Sequence, residues 1–423
     1  MLINNIKLKN FRGFSEQEFA LKPGVNLFIG PNASGKTGVL EAISVSIGSF
    51  FLGIKGYDSR NIKPEDIRVV ANSFDDVVSF EKQFPVEISS SGIVFDRELR
   101  WSRSLNNPQG RTTGQYASEI KKAAEEADER VRNGDSLILP LIAYYGNGRL
   151  WLEPKKDTVK NENNKELLSR FTGYANSIDP RCSPRELIRW LNRQERITFQ
   201  EKKVPVLLEN VKKAVTRCLE DAKSISFDPK REELVISFNN GTQLPFAFLS
   251  DGQRGVAAMV GDIAMRASQL NPQLGMNVLE KTPGVVLIDE VDLYLHPRWQ
   301  RNILRDLSST FPKIQFICTT HSPQVIGEIS AESIINLDKN NNHPSQSFGL
   351  DSNTIIENIM GGKARTRKLS DAVEEIKNLI LDENYSTAKK EILRVVKEMN
   401  GSDDELKRLE TIVGNLEAMS DNK

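Results

Sequence analysis

The sequence has few cysteines, no net charge and no long apolar run. Its three cysteines, Cys182, Cys218 and Cys318, form no CxxC pair among the 423 residues, which argues against a disulfide framework or a zinc site. Lysine plus arginine and aspartate plus glutamate balance at 57 each, so bulk charge attracts neither nucleic acid nor an anionic membrane.

No segment approaches the roughly 20 apolar residues that span a bilayer, and the first residues show no basic-then-apolar leader. Such a leader would direct a chain to secretion. We therefore expect a cytoplasmic protein that does not contact a membrane.

Strand and helix patterns alternate along most of the chain and predict an α/β fold. The first residues alternate as two strands before the apolar run VNLFI, and VEISSSGIVFDRELRWSRS is typical of a hairpin. Continuous apolar runs such as GVVLI and KIQFIC favour parallel strands covered on both faces. We predict a head in two parts, 1–159 and 226–362, interrupted by a helical insertion at 160–225. A C-terminal helical subdomain follows at 363–423, with three amphipathic patterns that could pack together or bind a partner.

The segment GPNASGKT matches the pattern G-x-x-x-x-G-K-[ST] between a predicted strand and a predicted helix. The glycines let the backbone wrap a phosphate, Lys36 supplies a positive charge for the β- and γ-phosphates, and Thr37 offers a hydroxyl to Mg²⁺. An ordinary glycine-rich turn would not need the Lys-Thr pair. The predicted ATP contacts in this loop are Gly30, Asn32, Ser34, Gly35, Lys36 and Thr37.

Two acidic residues follow the apolar strand GVVLI. Asp289 at the strand end is suited to hold Mg²⁺ together with Thr37, and Glu290 is suited to orient or deprotonate the attacking water. Alone, the pattern also fits a capped strand end, but the phosphate loop upstream favours the catalytic interpretation. The next strand ends in TTHSP, where His321 could hydrogen-bond a γ-phosphate or the water, or could be structural.

A second glycine-bearing turn, FLSDGQRGV, joins a strand end to a helix start far from the phosphate loop. Ser250 or Asp251 could simply cap that helix. The turn could instead meet an anion, because a helix N-terminus favours negative charge. A chain with one phosphate loop needs a second such turn only if the turn faces another nucleotide.

The order of the motifs resembles that of ABC-type ATPases: a phosphate loop, LSDGQR, LIDE and TTHSP. The opening KNFRGF resembles the SMC, RecF and OLD branch. The segments YYGNGRLW and TIIENIMGGKARTR resemble stand-alone ATPase subunits of Septu-type and retron-associated anti-phage systems. The resemblance implies a P-loop NTPase fold of the ABC-head type, with an N-terminal antiparallel β region, a helical insertion and a C-terminal helical tail.

For the site, the resemblance implies that the LSDGQR turn serves the nucleotide of a second copy of the chain. Ser250, Gly252 and Gln253 would contact the ATP held by that copy, so two heads close face to face over two ATP molecules. It also implies that Arg12 holds the nucleotide near its phosphates. Asp251 departs from the pattern, since transporter signatures have glycine there.

For function, the resemblance implies a slow, Mg²⁺-dependent ATPase that acts as the sensor or regulator of an anti-phage complex. It would form a homodimer or a higher homo-oligomer and control a separate nuclease of HNH type. No Toprim-like acidic region follows the head, so the nuclease activity of OLD enzymes is not implied. An alternative from another class is a RecF-like, ATP-dependent DNA-binding clamp, with DNA or RNA as partner, supported by scattered basic residues such as Lys7 and Lys121.

Overall fold

The computed structural model describes residues 1–74, 77–149, 169–181, 184–202, 204–228, 233–338, 343–401 and 404–420. The chain divides into two compact units, Met1–Gly349 and Leu350–Lys423. The structure thus places the boundary between head and tail at 349–350, ahead of the predicted 362–363. The predicted junction at 159–160 lies outside the described residues.

The strands of the described residues all belong to the first unit. They are β1 (Leu2–Phe11), β2 (Phe14–Ala20), β3 (Val25–Ile29), β4 (Val69–Phe74), β5 (Val77–Lys82), β6 (Val86–Val94), β7 (Arg97–Leu105), β8 (Leu141–Tyr145), β9 (Ala222–Asp228), β10 (Glu233–Phe238), β11 (Gln243–Pro245), β12 (Gly284–Ile288), β13 (Ile314–Thr319) and β14 (Ile334–Asn336).

The α-helices of the described residues alternate with these strands and continue into the second unit. They are α1 (Lys36–Ile47), α2 (Ser118–Arg132), α3 (Pro184–Glu201), α4 (Val206–Cys218), α5 (Asp251–Leu270), α6 (Val278–Lys281), α7 (Pro297–Gln300), α8 (Ile303–Thr310), α9 (Pro323–Ile326), α10 (Ser352–Thr354), α11 (Arg367–Leu381), α12 (Tyr385–Met399) and α13 (Asp404–Ser420). None of the described helices is long and apolar enough to cross a membrane.

A five-stranded sheet in the order β14-β3-β13-β12-β8 forms the centre of the first unit. Neighbouring strands pair in parallel, and Ile288 of β12 lies opposite both Cys318 and Tyr145. The carboxyl ends of these strands therefore meet at one edge. Every residue of β12 is buried, as the unbroken apolar run predicts. The α/β fold with a parallel core is confirmed.

An antiparallel sheet in the order β2-β1-β6-β7 covers one side of α1. Along β1 burial alternates, with Ile6 and Leu8 buried and Lys7 exposed between them, as expected when one face meets a core. Trp101 of β7 donates its indole N–H to the carbonyl oxygen of Ser46 at 3.0 Å. This sheet, the predicted N-terminal antiparallel β region, therefore fixes the helix that begins at the phosphate loop.

The helices α3 and α4 provide the helical character predicted for the insertion. They pack on α5: a Cβ at Gly261 of α5 would lie 2.6 Å from a methyl carbon of Leu187 in α3. The strand β9 begins at Ala222, within the predicted insertion. The structure therefore groups this helical layer with the head, as part of the first unit.

The second unit contains the three helices that the amphipathic patterns predict. Their apolar faces meet in one core, so packing within the unit accounts for the patterns. The core residues are Val373, Ile376, Ala388, Ile392, Val395, Leu406, Leu409 and Val413.

Candidate functional site

The loop between β3 and α1 has backbone conformations that favour glycine. φ is +148° at Gly30 and +98° at Gly35. A Cβ on Gly35 would lie 2.5 Å from the ring of Phe14, and one on Gly30 would lie 2.7 Å from Ser34 Oγ. Side chains are therefore excluded at both positions, and the backbone keeps the tight wrap by which phosphate loops surround an anion.

Three features of this loop suit a bound phosphate: a buried ammonium group, a hydroxyl without a partner among the described residues and a helix N-terminus without a side-chain cap. Lys36 donates its ammonium to the carbonyl oxygens of Gly30 at 2.9 Å and Pro31 at 2.8 Å, and burial lowers its pKa. Ser34 Oγ is buried with no hydrogen-bond partner among the described residues. Gly35 caps α1 without a side-chain hydrogen bond. An unpartnered buried hydroxyl, a cation and an uncapped helix N-terminus fit the phosphates of a nucleoside triphosphate.

The predicted magnesium ligands lie together at the edge of the parallel sheet. Thr37 donates its hydroxyl to Asp289 Oδ2 at 2.8 Å, although 252 positions separate the two residues. Thr319 at the end of β13 donates to Asp289 Oδ1 at 2.6 Å. Asp289 is 1% exposed. A threonine hydroxyl and a carboxylate are oxygen ligands of the kind that Mg²⁺ prefers, so these two residues fit the ion.

Glu290 follows Asp289 in a left-handed conformation, with φ of +48°. Its backbone N–H donates to Thr319 Oγ1 at 2.7 Å. Burial raises the pKa of Glu290, and the neighbouring Asp289 and Asp292 raise it further, against the opposing charges of Arg149 and Lys36. A half-buried carboxylate whose proton affinity is raised in this way is suited to accept a proton from water.

His321 lies in the loop after β13, half-buried, near the same charged groups. Burial lowers the pKa of His321, and the charge of Lys36 lowers it further, while Asp292 and Asp289 act against this. The adjacent Thr320 donates its hydroxyl to Asp292 Oδ1 at 2.5 Å. A neutral imidazole beside the acids is therefore favoured. Contact of His321 with a nucleotide remains a prediction.

Arg12 lies next to the first turn of α1. Its Nε donates to Asp66 Oδ1 at 2.8 Å, and its Cδ is 3.4 Å from the position that a Cβ on Gly38 would occupy. The carboxylate of Asp66 is buried. Asn32 is exposed on the phosphate loop. Contact of Arg12 and Asn32 with a nucleotide remains a prediction.

Arg149 is a part of the site that the sequence motifs do not identify. It lies in the loop after β8, 5% exposed, and donates to the carbonyl oxygens of Asp289 at 2.7 Å and Glu290 at 3.0 Å. The sequence signal is an arginine in a glycine-bearing loop directly after a buried strand. Spacing alone does not relate that loop to the acids, which are 140 positions away.

The LSDGQR turn caps α5 with its own side chains. Ser250 Oγ accepts from the N–H of Gln253 at 3.3 Å, and Gln253 Oε1 accepts from the N–H of Ser250 at 3.0 Å. A Cβ on Gly252 would lie 2.4 Å from the carbonyl oxygen of Tyr294. Ser250 is exposed. Among the described residues, no hydrogen bond joins Ser250, Gly252 or Gln253 to the phosphate loop of the same chain. The helix-cap interpretation is thus correct, and the contact of the turn with a nucleotide stays a prediction.

A family model described as "AAA domain, putative AbiEii toxin, Type IV TA system" matches residues 25–327. The chain belongs to this family. The matched span includes the phosphate loop, the LSDGQR turn and both acids. With the motif order and the relatives below, it makes the chain an ABC-type ATPase.

The relatives include proteins named for retrons and for Septu systems. The "Retron Ec83 probable ATPase" of Escherichia coli is 26% identical over 91% of this chain and 81% of its own length. The "Septu protein PtuA" of Bacillus thuringiensis is 23% identical over 91% of this chain and 90% of its own. A solved SMC head bound to the C-terminal winged-helix domain of ScpA is 15% identical, with a TM-score of 0.46 over 79% of this chain and 94% of that one. The fold assignment rests on the strand order of the central sheet and not on this similarity.

Proposed function

We propose that this ATPase is the nucleotide-dependent regulatory subunit of an anti-phage defence complex and controls a separate nuclease of HNH type. The observation behind its dependence on nucleotide is the array at the sheet edge, where Thr37, Asp289 and Thr319 are hydrogen-bonded beside Lys36. This array suits Mg²⁺ and ATP. The names of the retron and Septu relatives support the assignment to defence.

Each residue at this edge has one proposed task in hydrolysis. Lys36 and the loop N–H groups hold the phosphates, while Thr37 and Asp289 hold Mg²⁺. Glu290 accepts the proton of the attacking water, and His321 hydrogen-bonds the water or the γ-phosphate. Bound ATP supplies the phosphoanhydride bond that is cleaved.

Two heads are proposed to share each ATP. The turn of Ser250, Gly252 and Gln253 is closed by two internal hydrogen bonds and exposed at Ser250, and among the described residues it is not bonded to its own phosphate loop. It is therefore available to the γ-phosphate held by a second copy, which its helix dipole attracts. Hydrolysis removes that partner, so ATP favours the paired state and ADP the separated state. The nuclease would respond to this difference.

The experiment measures phage protection in cells that express the chain together with its nuclease. Glu290→Gln is expected to bind ATP, to reduce hydrolysis by about 10²- to 10⁴-fold and to change protection. The matched control is Glu328→Gln, because Glu328 forms a surface ion pair with Arg301 at 3.2 Å. Unchanged hydrolysis in Glu290→Gln would show that Glu290 is not the base.

The alternative of a DNA-binding clamp is tested by measuring DNA binding of the same protein. A clamp would bind duplex DNA below micromolar Kd with a steep salt dependence, and the nuclease would not respond to the ATPase variants. Those two results together would replace the regulatory proposal.

A further inference from the structure

The loop after β8 ties the two acidic residues to the head by their backbone. Arg149 Nη1 donates to the carbonyl oxygens of Gly146 at 3.1 Å and Asp289 at 2.7 Å, and Nη2 donates to that of Glu290 at 3.0 Å. Tyr145, the last residue of β8, accepts the N–H of Asp289 on its carbonyl oxygen at 2.8 Å. Residues 145–149 therefore make three hydrogen bonds to the turn that carries the acids, and the Arg149 side chain makes one further hydrogen bond to Gly146.

The turn needs such support because its backbone is strained. A left-handed φ of +48° at Glu290 is unfavourable for a residue with a side chain and persists only when surrounding contacts fix it. The backbone N–H of Glu290 donates a hydrogen bond to Thr319 Oγ1. The carbonyl oxygen of Glu290 accepts a hydrogen bond from Arg149. The planar guanidinium can hold two carbonyl groups at once, which an ammonium group on a flexible stem does less well.

The same segment also contacts the helix that begins at the LSDGQR turn. Tyr145 donates its hydroxyl to Asp262 Oδ2 of α5 at 2.6 Å, and Arg266 donates to that same oxygen at 2.6 Å. The segment 145–149 is thus bonded both to α5 and to the turn that carries the acids.

We infer that Arg149 is a positioning residue for ATP hydrolysis: its guanidinium fixes the strained turn so that the Glu290 carboxylate is held where it accepts the proton of the attacking water. Arg149 donates to backbone carbonyl oxygens of the acids, so this role requires no contact with ATP. The inference rests on the proposed role of Glu290 as the base.

The test compares Arg149→Gln and Arg149→Lys with the unchanged full-length chain. Measured quantities are kcat, the Kd of a fluorescent ATP analogue and the melting temperature. Misplacing the base by about 1 Å is expected to lower kcat of Arg149→Gln by up to about 100-fold, with Kd within roughly threefold of the unchanged chain, because the phosphate loop is untouched. Arg149→Lys keeps the positive charge but loses the planar group that donates to two carbonyl oxygens, so its kcat should lie between those of the unchanged chain and Arg149→Gln.

Arg170→Gln is the matched control. Arg170 also donates to backbone carbonyl oxygens, those of Leu270 and Leu137, which the proposed mechanism does not use. Its loss should lower the melting temperature and leave kcat unchanged. Arg149 is not a positioning residue if Arg149→Gln keeps normal kcat, or if its kcat falls only in proportion to its ATP affinity.

If Arg149→Gln does not fold, Arg149→Lys decides, since a reduced kcat with normal Kd supports the inference and a normal kcat overturns it. Glu290→Gln separates the two claims. If it hydrolyses ATP normally, the proposed base is wrong. If it is inactive while Arg149→Gln is active, only the role of Arg149 is wrong.

Discussion

Two turns of this chain place a glycine and a hydroxyl residue at a helix N-terminus. They differ in whether side chains of the turn accept hydrogen bonds from the free backbone N–H groups there. At α1 the cap is Gly35, which makes no side-chain hydrogen bond, and the hydroxyl of Ser34 has no partner among the described residues. At α5, Ser250 and Gln253 satisfy each other's backbone N–H groups. The first turn is left open and the second is closed on itself.

The difference indicates two ways of using a helix N-terminus. The phosphate loop is incomplete without an anion, and its last residue, Thr37, is bonded to a distant carboxylate. The LSDGQR turn is complete before any ligand arrives, and the close approach of Gly252 to Tyr294 fixes its position. A turn of this kind can present a surface to a ligand held elsewhere. ATP should therefore be bound by the first turn and recognised by the second.

Among these variants, removal of the Lys36 side chain should have the largest effect, and the affected quantity is the affinity for ATP. Lys36→Ala should weaken ATP binding by at least about 2 kcal/mol, because a charge-assisted contact with phosphate is lost in a partly buried site. Isothermal titration with ATP measures the change. Lys22→Ala is the control, since Lys22 pairs with Glu332 at the surface. Normal ATP affinity in Lys36→Ala would contradict the assignment of the phosphate loop.

Mixing two inactive variants should restore part of the activity. A pair of Lys36→Ala and Ser250→Arg chains contains one site with an intact phosphate loop and an intact LSDGQR turn, if each site is built from two chains. Steady-state ATPase rates of the mixture measure the recovery. Lys36→Ala mixed with Glu290→Gln is the control, because both changes lie on the phosphate-loop side and leave no intact site. Equal rates in the two mixtures would rule out a shared site.

A smaller effect, on the stability of the fold, is expected when a methyl group is added to Gly252 in the LSDGQR turn. Gly252→Ala places a Cβ about 2.4 Å from a carbonyl oxygen, so we expect a loss of stability of about 1–3 kcal/mol. Gly414→Ala is the control, because no atom lies within 4 Å of a Cβ there and alanine favours a helix. Thermal unfolding compares the two. A melting temperature that Gly252→Ala leaves unchanged would show that this turn is not fixed by close packing.

The sequence predicts the parts of the site that depend on local patterns. The phosphate loop needs glycines at fixed spacing, and Asp289 follows an unbroken apolar strand, so parallel pairing brings both to the same sheet edge. Arg149 could not be found in this way. Its partners are backbone carbonyl oxygens 140 and 141 positions away, and any residue type presents such oxygens. The pairing of Arg12 with the buried Asp66 depends in the same way on tertiary packing.

In the shared site that we propose, the LSDGQR turn of one chain meets the nucleotide held by another. The most direct measurement is a cross-link between Ser250→Cys on one chain and Asn32→Cys on a second, both carrying Glu290→Gln to retain ATP and Cys182→Ser to remove one native thiol. Cys218 and Cys318 are buried. With Mg²⁺ and ATP, a short bis-maleimide should produce a covalent dimer, and with ADP it should not. Chains that bind ATP and still give no dimer would show that the LSDGQR turn does not meet the nucleotide of a second chain.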